Sequence, residues 1–531
     1  MRAILFFSSR WHGDFLALLA GLLMPLAFAP YELFPLAILA LLALFLCWRR
    51  ASPRRALLRG ALFGAAMFST GVYWVFISIH DYGDVGLGLS LFLTGLFILV
   101  LSCFPALAGY VTVRLQNSLL PSRSALPVVL LYPVIWMLFE WLRGWFLTGF
   151  PWLSLGYSQI AAPLGGLAPL LGVFGVSLFT ALSSALLLVA LESEKKGVQG
   201  KYLAVLVTGW VLAALLGQYS WSQPTGKPLK VSLVQGNIPQ EIKWLPGMKD
   251  PSVALYTHLS SAHWDSNLIV WPETALPMFS TEAEPYLEQL DRLARAHHTD
   301  MLVGIVYQDP QSRHYYNSMI TLGTARAYYH KQHLVPFTEY LPLAGTLGGL
   351  VDFLDVPMSN FSAGKAGQLP LALAGQRVGV SICYEDAFGE EVIRSLPAST
   401  LLVNVSNDAW FGGSAAPWQH LQMARMRALE TGRYLLRATN TGVSAIIDPH
   451  GRISALAPQF TETVLTGTVQ SMVGATPYVR VGNFAVLLLS VVMLTIVYGL
   501  NKAGYKRVRS SVPLPHSGSF HEAELNDVDR A

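Results

Sequence analysis

Charged residues are scarce in this chain. Asp, Glu, Lys and Arg make up 13% of its 531 residues, where a soluble protein carries roughly 25%. That shortage, beside 53% hydrophobic residues, excludes a wholly water-soluble protein and puts much of the polypeptide in lipid. Cysteine is scarcer still. Of the three present, Cys47 and Cys103 sit in apolar runs, so Cys383 is alone in the polar middle and no disulfide framework can form there. A lone thiol in a domain facing an oxidising compartment is a liability unless it is used. The net charge of +4 is too small to argue for nucleic acid, and there is no basic-aromatic patch to bind it. No internal repeat of roughly 20–50 residues marks a solenoid or propeller.

What the chain does have is long apolar runs, at about 14–29, 32–48, 58–78, 86–113, 127–143, 168–191, 202–218 and 483–500. Most approach or exceed the roughly 18–20 residues that cross a bilayer as a helix; the first two are short and broken by proline. These predict eight transmembrane helices. Ala27-Phe-Ala29 resembles a signal-peptide cleavage site, but Pro30 follows at once and another apolar run begins two residues later. Basic residues cluster in alternate loops: Arg2 and Arg10, then Arg49 to Arg59, then Arg114 and Arg123, then Lys195 to Lys201, and finally Lys502 to Arg509. Those loops mark the cytoplasmic side. Both termini are therefore expected inside and the polar block outside. The expected domains are a seven-span unit over 1–220, an outer domain over 221–475, a last span over 480–501 and a disordered tail over 502–531.

The outer domain reads as an α/β fold. Candidate strands are Leu229–Gln235, Asn267–Trp271, Met301–Val306, Ser318–Leu322, Val378–Ile382, Leu401–Val405, Ser444–Ile447 and Thr463–Thr468, with helical patterns at about 283–297, 386–395 and 417–432. After the fifth apolar run comes an aromatic loop, Trp145 to Trp152, preceded by Glu140 and Arg143. Three apart on one helical face, that acid and base can pair. Ionisable groups at such depth suit either a closed aromatic belt or a lipid-binding role.

Four pieces of the outer domain could carry chemistry. Cys383 ends a buried strand and faces a helix start, where a nucleophile can be rigid yet reachable; a small buried hydrophobe is the plainer reading. Glu273 follows a strand and lies between Pro272 and Pro277, among apolar neighbours that would raise its pKa as a general base requires; alternatively it caps a turn. Lys331 lies in an apolar-aromatic segment from which it could stabilise a thiolate or an oxyanion, or simply snorkel. The last piece is Asn404 to Gly412, a second strand ending in a polar-aromatic turn. Strand ends in a wound sheet converge on one rim, so the first three could meet, although their spacing does not require it.

Trp-Pro-Glu273, Lys331 in Lys-x-His-Leu-Val-Pro-Phe-x-Glu339, and Cys383-Tyr-Glu resemble the Glu-Lys-Cys triad of the nitrilase (carbon–nitrogen hydrolase) superfamily. The apolar runs, the Arg-Gly-Trp…Thr-Gly-Phe-Pro-Trp152 loop, Gln235-Gly-Asn-Ile-Pro-Gln…Trp244 and Ala438-Thr-Asn-Thr-Gly442 narrow the likeness to its membrane-embedded branch, the apolipoprotein N-acyltransferase family. Thr338 departs from the pattern, standing where Gly is expected. The resemblance implies an α-β-β-α sandwich on a helical membrane domain in the bacterial inner membrane, with the outer domain in the periplasm. It implies catalysis without metal or cofactor: Glu273 as base, Lys331 as oxyanion partner and Cys383 as nucleophile. Glu339 and Glu385 would position them, while Tyr384 and Trp244 would line the pocket, with Glu140 and Arg143 further candidates for binding substrate. The implied donor is a phospholipid such as phosphatidylethanolamine, and the implied acceptor the α-amine of a diacylglyceryl-cysteine on an apolipoprotein. Three rivals stand beside this reading: a tethered amidase in which water takes the acyl group, a transporter or lipid-handling scaffold, and a Cys–His transferase using His330, His333 or His420.

Overall fold

The computed structural model describes residues 10–119, 125–340 and 360–511. Four helices, Leu87–Ser118, Leu126–Arg143, Pro163–Glu192 and Lys196–Leu216, are long and apolar enough to cross a membrane, and Pro53–Gly71 with Trp74–Tyr82, bent by 53°, would make a fifth. Trp11–Ala27, Pro35–Trp48 and Phe484–Leu500 are shorter apolar helices of 10–17 residues. The last helix runs on to Ser511, and the polar stretch from 512 lies outside the described residues.

Lipid gives helices no hydrophobic reason to associate, so close packing must do it. Gly60 and Gly64, one turn apart on Pro53–Gly71, meet Pro105 of Leu87–Leu119 so closely that a Cβ on Gly60 would lie 2.2 Å from the Pro105 carbonyl oxygen. Either glycine replaced by a larger residue would force the two helices apart.

The polar block folds as two sheets face to face. One holds β1 (Gln223–Gln235), β2 (Leu268–Val270), β3 (Leu276–Phe279), β4 (Asp300–Gln308), β5 (Tyr315–Leu322), β6 (Tyr328–His330) and β13 (Thr463–Val473), in the order β13-β1-β2-β4-β5-β6 with β3 also on β4. The other holds β7 (Leu371–Leu373), β8 (Gln376–Ile382), β9 (Leu401–Ser406), β10 (Leu435–Thr439), β11 (Ala445–Ile447) and β12 (Ile453–Leu456), in the order β12-β11-β10-β9-β8-β7. Side-chain alternation explains the layering. On β1, Val231 and Leu233 join Val378, Leu401, Val403 and Leu436 of the second sheet in a core between the sheets. Residues of opposite parity, Ile269, Met301 and Val303, pack beneath Ala283, Leu287 and Leu290 of helix Ser280–His297. Leu402, Leu435 and Ala445 do the same beneath Leu421, Ala424 and Ala428 of helix Ala416–Thr431. The result is the helix–sheet–sheet–helix sandwich anticipated from the motifs.

Local structure departs from the sequence reading in several places. The helix expected over 386–395 is three short pieces, a 3₁₀ turn Cys383–Ala387, a single turn Gly389–Val392 and another 3₁₀ turn Ile393–Ser395. Central strand β10 and helix Lys249–Ser261 were not anticipated. Glu140 and Arg143, expected to pair, form no salt bridge. Glu140 instead accepts from Trp136 Nε1 at 2.8 Å and the Leu155 N–H at 3.0 Å, while Arg143 donates to the Phe150 carbonyl at 2.7 Å and Ser154 Oγ at 3.2 Å. The aromatic loop has more unpaired backbone groups to offer than either side chain offers the other, and together they hold it against the helix end.

Helix Ala416–Thr431 joins the sandwich to the membrane helices. Gln419 accepts from Trp74 Nε1 and donates to the Gly71 carbonyl, and Glu430 accepts from the Val173 N–H at 2.7 Å. Each bond ends on a group that would otherwise be a buried, unpaired donor or acceptor.

Candidate active site

Glu273, Lys331 and Cys383 all stand just past strand ends. Glu273 follows β2, Lys331 follows β6, and Cys383 follows β8. Because β8, β9 and β10 run parallel, as do β1, β2 and β4, their carboxyl ends open on a common rim. A bond between the sheets fixes that rim: the Asn407 N–H, past the end of β9, donates to Glu273 Oε2 at 2.8 Å.

The other Glu273 oxygen accepts from Asn317 Nδ2 at 2.7 Å and lies 3.7 Å from Lys331 Nζ. Lys331 Nζ binds Glu339 at 2.9 Å, and Asn317 also donates to Glu339, at 3.0 Å. Lys331 is 1% exposed. Burial alone would drive off its proton, but Glu339 and then Glu273 more than offset that and hold Lys331 above the ordinary lysine range. It is an ammonium at neutral pH.

Cys383 has φ +52. For a non-glycine residue that left-handed geometry costs of order 1 kcal/mol, and it turns the side chain out of the strand's alternation at the rim. Burial first, then the Glu273 charge, push the thiol well above its usual range, while the Lys331 charge pulls it down. The resting sulfur is therefore a protonated thiol, within the electrostatic reach of both partners. Glu385 does not reach toward them. Its carboxylate accepts from the Ile382, Gln332 and His333 N–H groups at 2.6, 2.6 and 3.2 Å and from Tyr329 OH at 2.9 Å. It clamps the segment after Lys331 to the segment before Cys383. Burial lifts it to about 7 against those donors.

Tyr384 OH donates to the Gly149 carbonyl, and its ring stacks on Trp152 at 5.7 Å and 15°. The aromatic loop thus abuts the residue beside the thiol. Trp244 is half-buried and, among the described residues, makes no hydrogen bond to the three groups. Its neighbour Lys243, overlooked in the sequence, is fully buried and donates to Thr274 Oγ1 at 3.0 Å and the Glu273 carbonyl at 3.4 Å. Burial lowers Lys243 to about 8. Thr338 donates to the Val335 carbonyl at 3.3 Å and leaves Glu339 on Lys331.

Behind Cys383 lies a second buried network, in which His420 and the Asn404 to Gly412 turn, both named from the sequence, meet Asp386 and Arg437, which were not. His420 Nδ1 faces Asp408 Oδ1 at 3.0 Å, and Nε2 faces Asp386 Oδ1 at 2.8 Å and the Cys383 carbonyl at 3.1 Å. Arg437 donates to Asp408 at 2.9 Å and to Asn404, and Asn404 Nδ2 reaches the Cys383 carbonyl at 3.3 Å. Burial and Arg437 push His420 down, but Asp386 and Asp408 outweigh them and raise it to about 9. An imidazolium with both nitrogens donating cannot act as a base. Cys383 Sγ, Asp408 and His420 offer atoms within 4.8 Å of one another, yet the set does not fit a cation, because His420 lacks a free lone pair and Arg437 already neutralises Asp408.

The sign of the His420 shift gives a stability prediction. Its contribution is complete below the ordinary imidazole value of 6.5 and is lost as pH rises through about 9. Melting temperature should fall across that window in the wild type and run flatter in His420→Asn. Equal slopes by scanning fluorimetry would mean that His420 is neutral in the folded protein.

Two family models match the chain: the apolipoprotein N-acyltransferase N-terminal domain over residues 20–186 and the carbon–nitrogen hydrolase domain over 230–478. An apolipoprotein N-acyltransferase of Methylococcus capsulatus is 47% identical over 472 residues, covering 88% of this chain and 92% of its own. The chain belongs to the apolipoprotein N-acyltransferase family. Family members from Nitrosomonas europaea and Azotobacter vinelandii are each 45% identical, covering 87% and 91% of this chain and 92% and 95% of their own. The enzyme is therefore an acyltransferase, and its sandwich is the nitrilase-type domain of that family.

Proposed function

We propose that the enzyme moves a fatty acyl chain from a phospholipid, through a thioester on Cys383, to the α-amine of a diacylglyceryl-cysteine at the start of an apolipoprotein. The supporting observation is a cysteine held at a left-handed turn on the same rim as the Glu273 side chain, which itself lies 3.7 Å from the buried Lys331 Nζ. Glu273 takes the thiol proton as sulfur attacks the ester carbonyl. Lys331 stabilises the tetrahedral oxyanion. The C–O bond breaks, the proton passes from Glu273 to the departing lysophospholipid oxygen, and the thioester remains. The amine then attacks that thioester, Glu273 accepts its proton, the C–S bond breaks, and the departing Cys383 thiolate takes the proton back from Glu273.

The choice of phosphatidylethanolamine as donor rests on family resemblance. The eight apolar segments are read as eight spans, with the sandwich in the periplasm and both ends of the chain in the cytoplasm of a bacterium whose inner membrane holds the enzyme. The aromatic loop joining the site to the membrane helices favours acyl transfer between lipids over a tethered amidase. A Cys–His route is disfavoured because both His420 nitrogens are committed to carboxylates; His330 and His333 bind Ser318 and Glu391 instead.

The two half-reactions can be separated. Enzyme incubated with phospholipid alone should accumulate one acyl group, read by intact mass, and lose it on addition of a diacylglyceryl peptide with a free α-amine but not of its N-acetylated form. Prompt loss to water without acceptor would instead indicate a hydrolase.

A further inference from the structure

A cavity of about 280 Å³ lies where helix Lys196–Leu216 gives way to the sandwich, and Leu216, Tyr219, Trp221, Tyr434, Asp448 and Met472 are among its lining residues. It shares no residue with the site around Cys383. The helix below it is poorly covered by protein: only 6% of its apolar window is buried, and Val207, Val211 and Leu215 are each more than half exposed. An apolar stripe left open to lipid thus ends at the mouth of this cavity.

The wall combines a carboxylate with a group of aromatic rings. Asp448 Oδ1 caps its own turn by accepting from the His450 and Arg452 N–H groups at 2.9 Å, while Oδ2 has neither a protein donor nor an ion-pair partner among the described residues. Beside it stand the rings of Tyr219, Trp221 and Tyr434, the first two edge-to-face at 4.8 Å. The Trp221 indole N–H is buried without an acceptor, which an occupant could supply. A carboxylate oxygen among aromatic faces suits an ammonium, and the exposed helix face suits acyl chains.

We propose that this cavity binds the head group of a zwitterionic membrane lipid carrying a primary ammonium, with Asp448 and the aromatic rings on the ammonium and the acyl chains along Lys196–Leu216. It is a lipid site separate from the thiol. A quaternary ammonium can enjoy the rings but has no N–H for Oδ2, and an anionic head group is repelled by Asp448, so the site discriminates among lipids.

The test uses the full-length enzyme in vesicles of phosphatidylglycerol and phosphatidylcholine doped with a phosphatidylethanolamine that carries a photoreactive group near its glycerol. After irradiation, adducts should map to peptides covering residues 207–224 and should be competed by unlabelled phosphatidylethanolamine, not by the two vesicle lipids. Asp448→Asn keeps Oδ1 for the turn and should lower that labelling about fivefold, while adducts near Cys383 and the thioester yield stay unchanged. Tyr434→Leu should weaken labelling in the same place. Adducts confined to the Cys383 region, equal competition by phosphatidylglycerol, or labelling unaltered in both variants would each overturn the site.

Discussion

Incubated with phospholipid, the Cys383→Ser enzyme should gain no acyl mass, while the wild type gains one fatty-acyl increment; turnover should fall by a factor on the order of 10³ or more. The reason is electrostatic as well as intrinsic. Burial and the nearby Glu273 charge already make ionisation of a thiol difficult here, and a serine hydroxyl is far harder to ionise. The compensating charge of Lys331 is shared between Glu339 and Glu273. Serine preserves the shape of the turn and its bonds to Asn404 and His420, because these end on the Cys383 carbonyl. Loss of the adduct would therefore report on the sulfur and not on folding. Should the serine variant gain the same increment, the nucleophile lies elsewhere and the Glu-Lys-Cys assignment falls.

Much of this site could be read from the chain because its chemistry is local. Trp-Pro-Glu273, Lys331 with Glu339, and Cys383-Tyr-Glu are short segments whose strand-ending character follows from apolar runs that stop at a polar residue. The sandwich was legible for the same reason: strands buried on both faces write themselves as continuous apolar stretches. What escaped were groups whose meaning depends on the partner. Asn317 and Asn407 look like ordinary strand and turn residues until both are found on Glu273. Lys243, in the polar run Gln240–Lys243, reads as a solvated charge and is fully buried. Strand β10 carries Arg437 at its centre, which breaks the apolar pattern; only the approach of Asp408 and Asn404 makes a guanidinium tolerable there. The pairing of Glu140 with Arg143 failed in the opposite sense, since helix spacing took no account of a loop that would compete for both.

Glu273→Gln should be the next most damaging change, slowing thioester formation by about 100-fold or more, the range that loss of a positioned general base usually produces. The two oxygens of Glu273 each accept from a fixed donor, the Asn317 amide on one side and the Asn407 N–H on the other. Glutamine offers one acceptor and one donor, so whichever way its amide turns, an N–H meets an N–H, leaving a buried donor unsatisfied at a cost of about 1–3 kcal/mol. It also removes a counter-charge from Lys331, which Glu339 alone would then hold. The same substitution should therefore lower the melting temperature along with the rate, and the two effects can be told apart. An acceptor amine offered to enzyme already carrying the acyl group tests the base a second time, because its proton too must go to Glu273. If the glutamine variant forms the thioester slowly but discharges it to the amine at the wild-type rate, Glu273 acts only in the first half-reaction. If both steps run at wild-type rates, the proton is taken by another group and Glu273 serves only to hold Lys331.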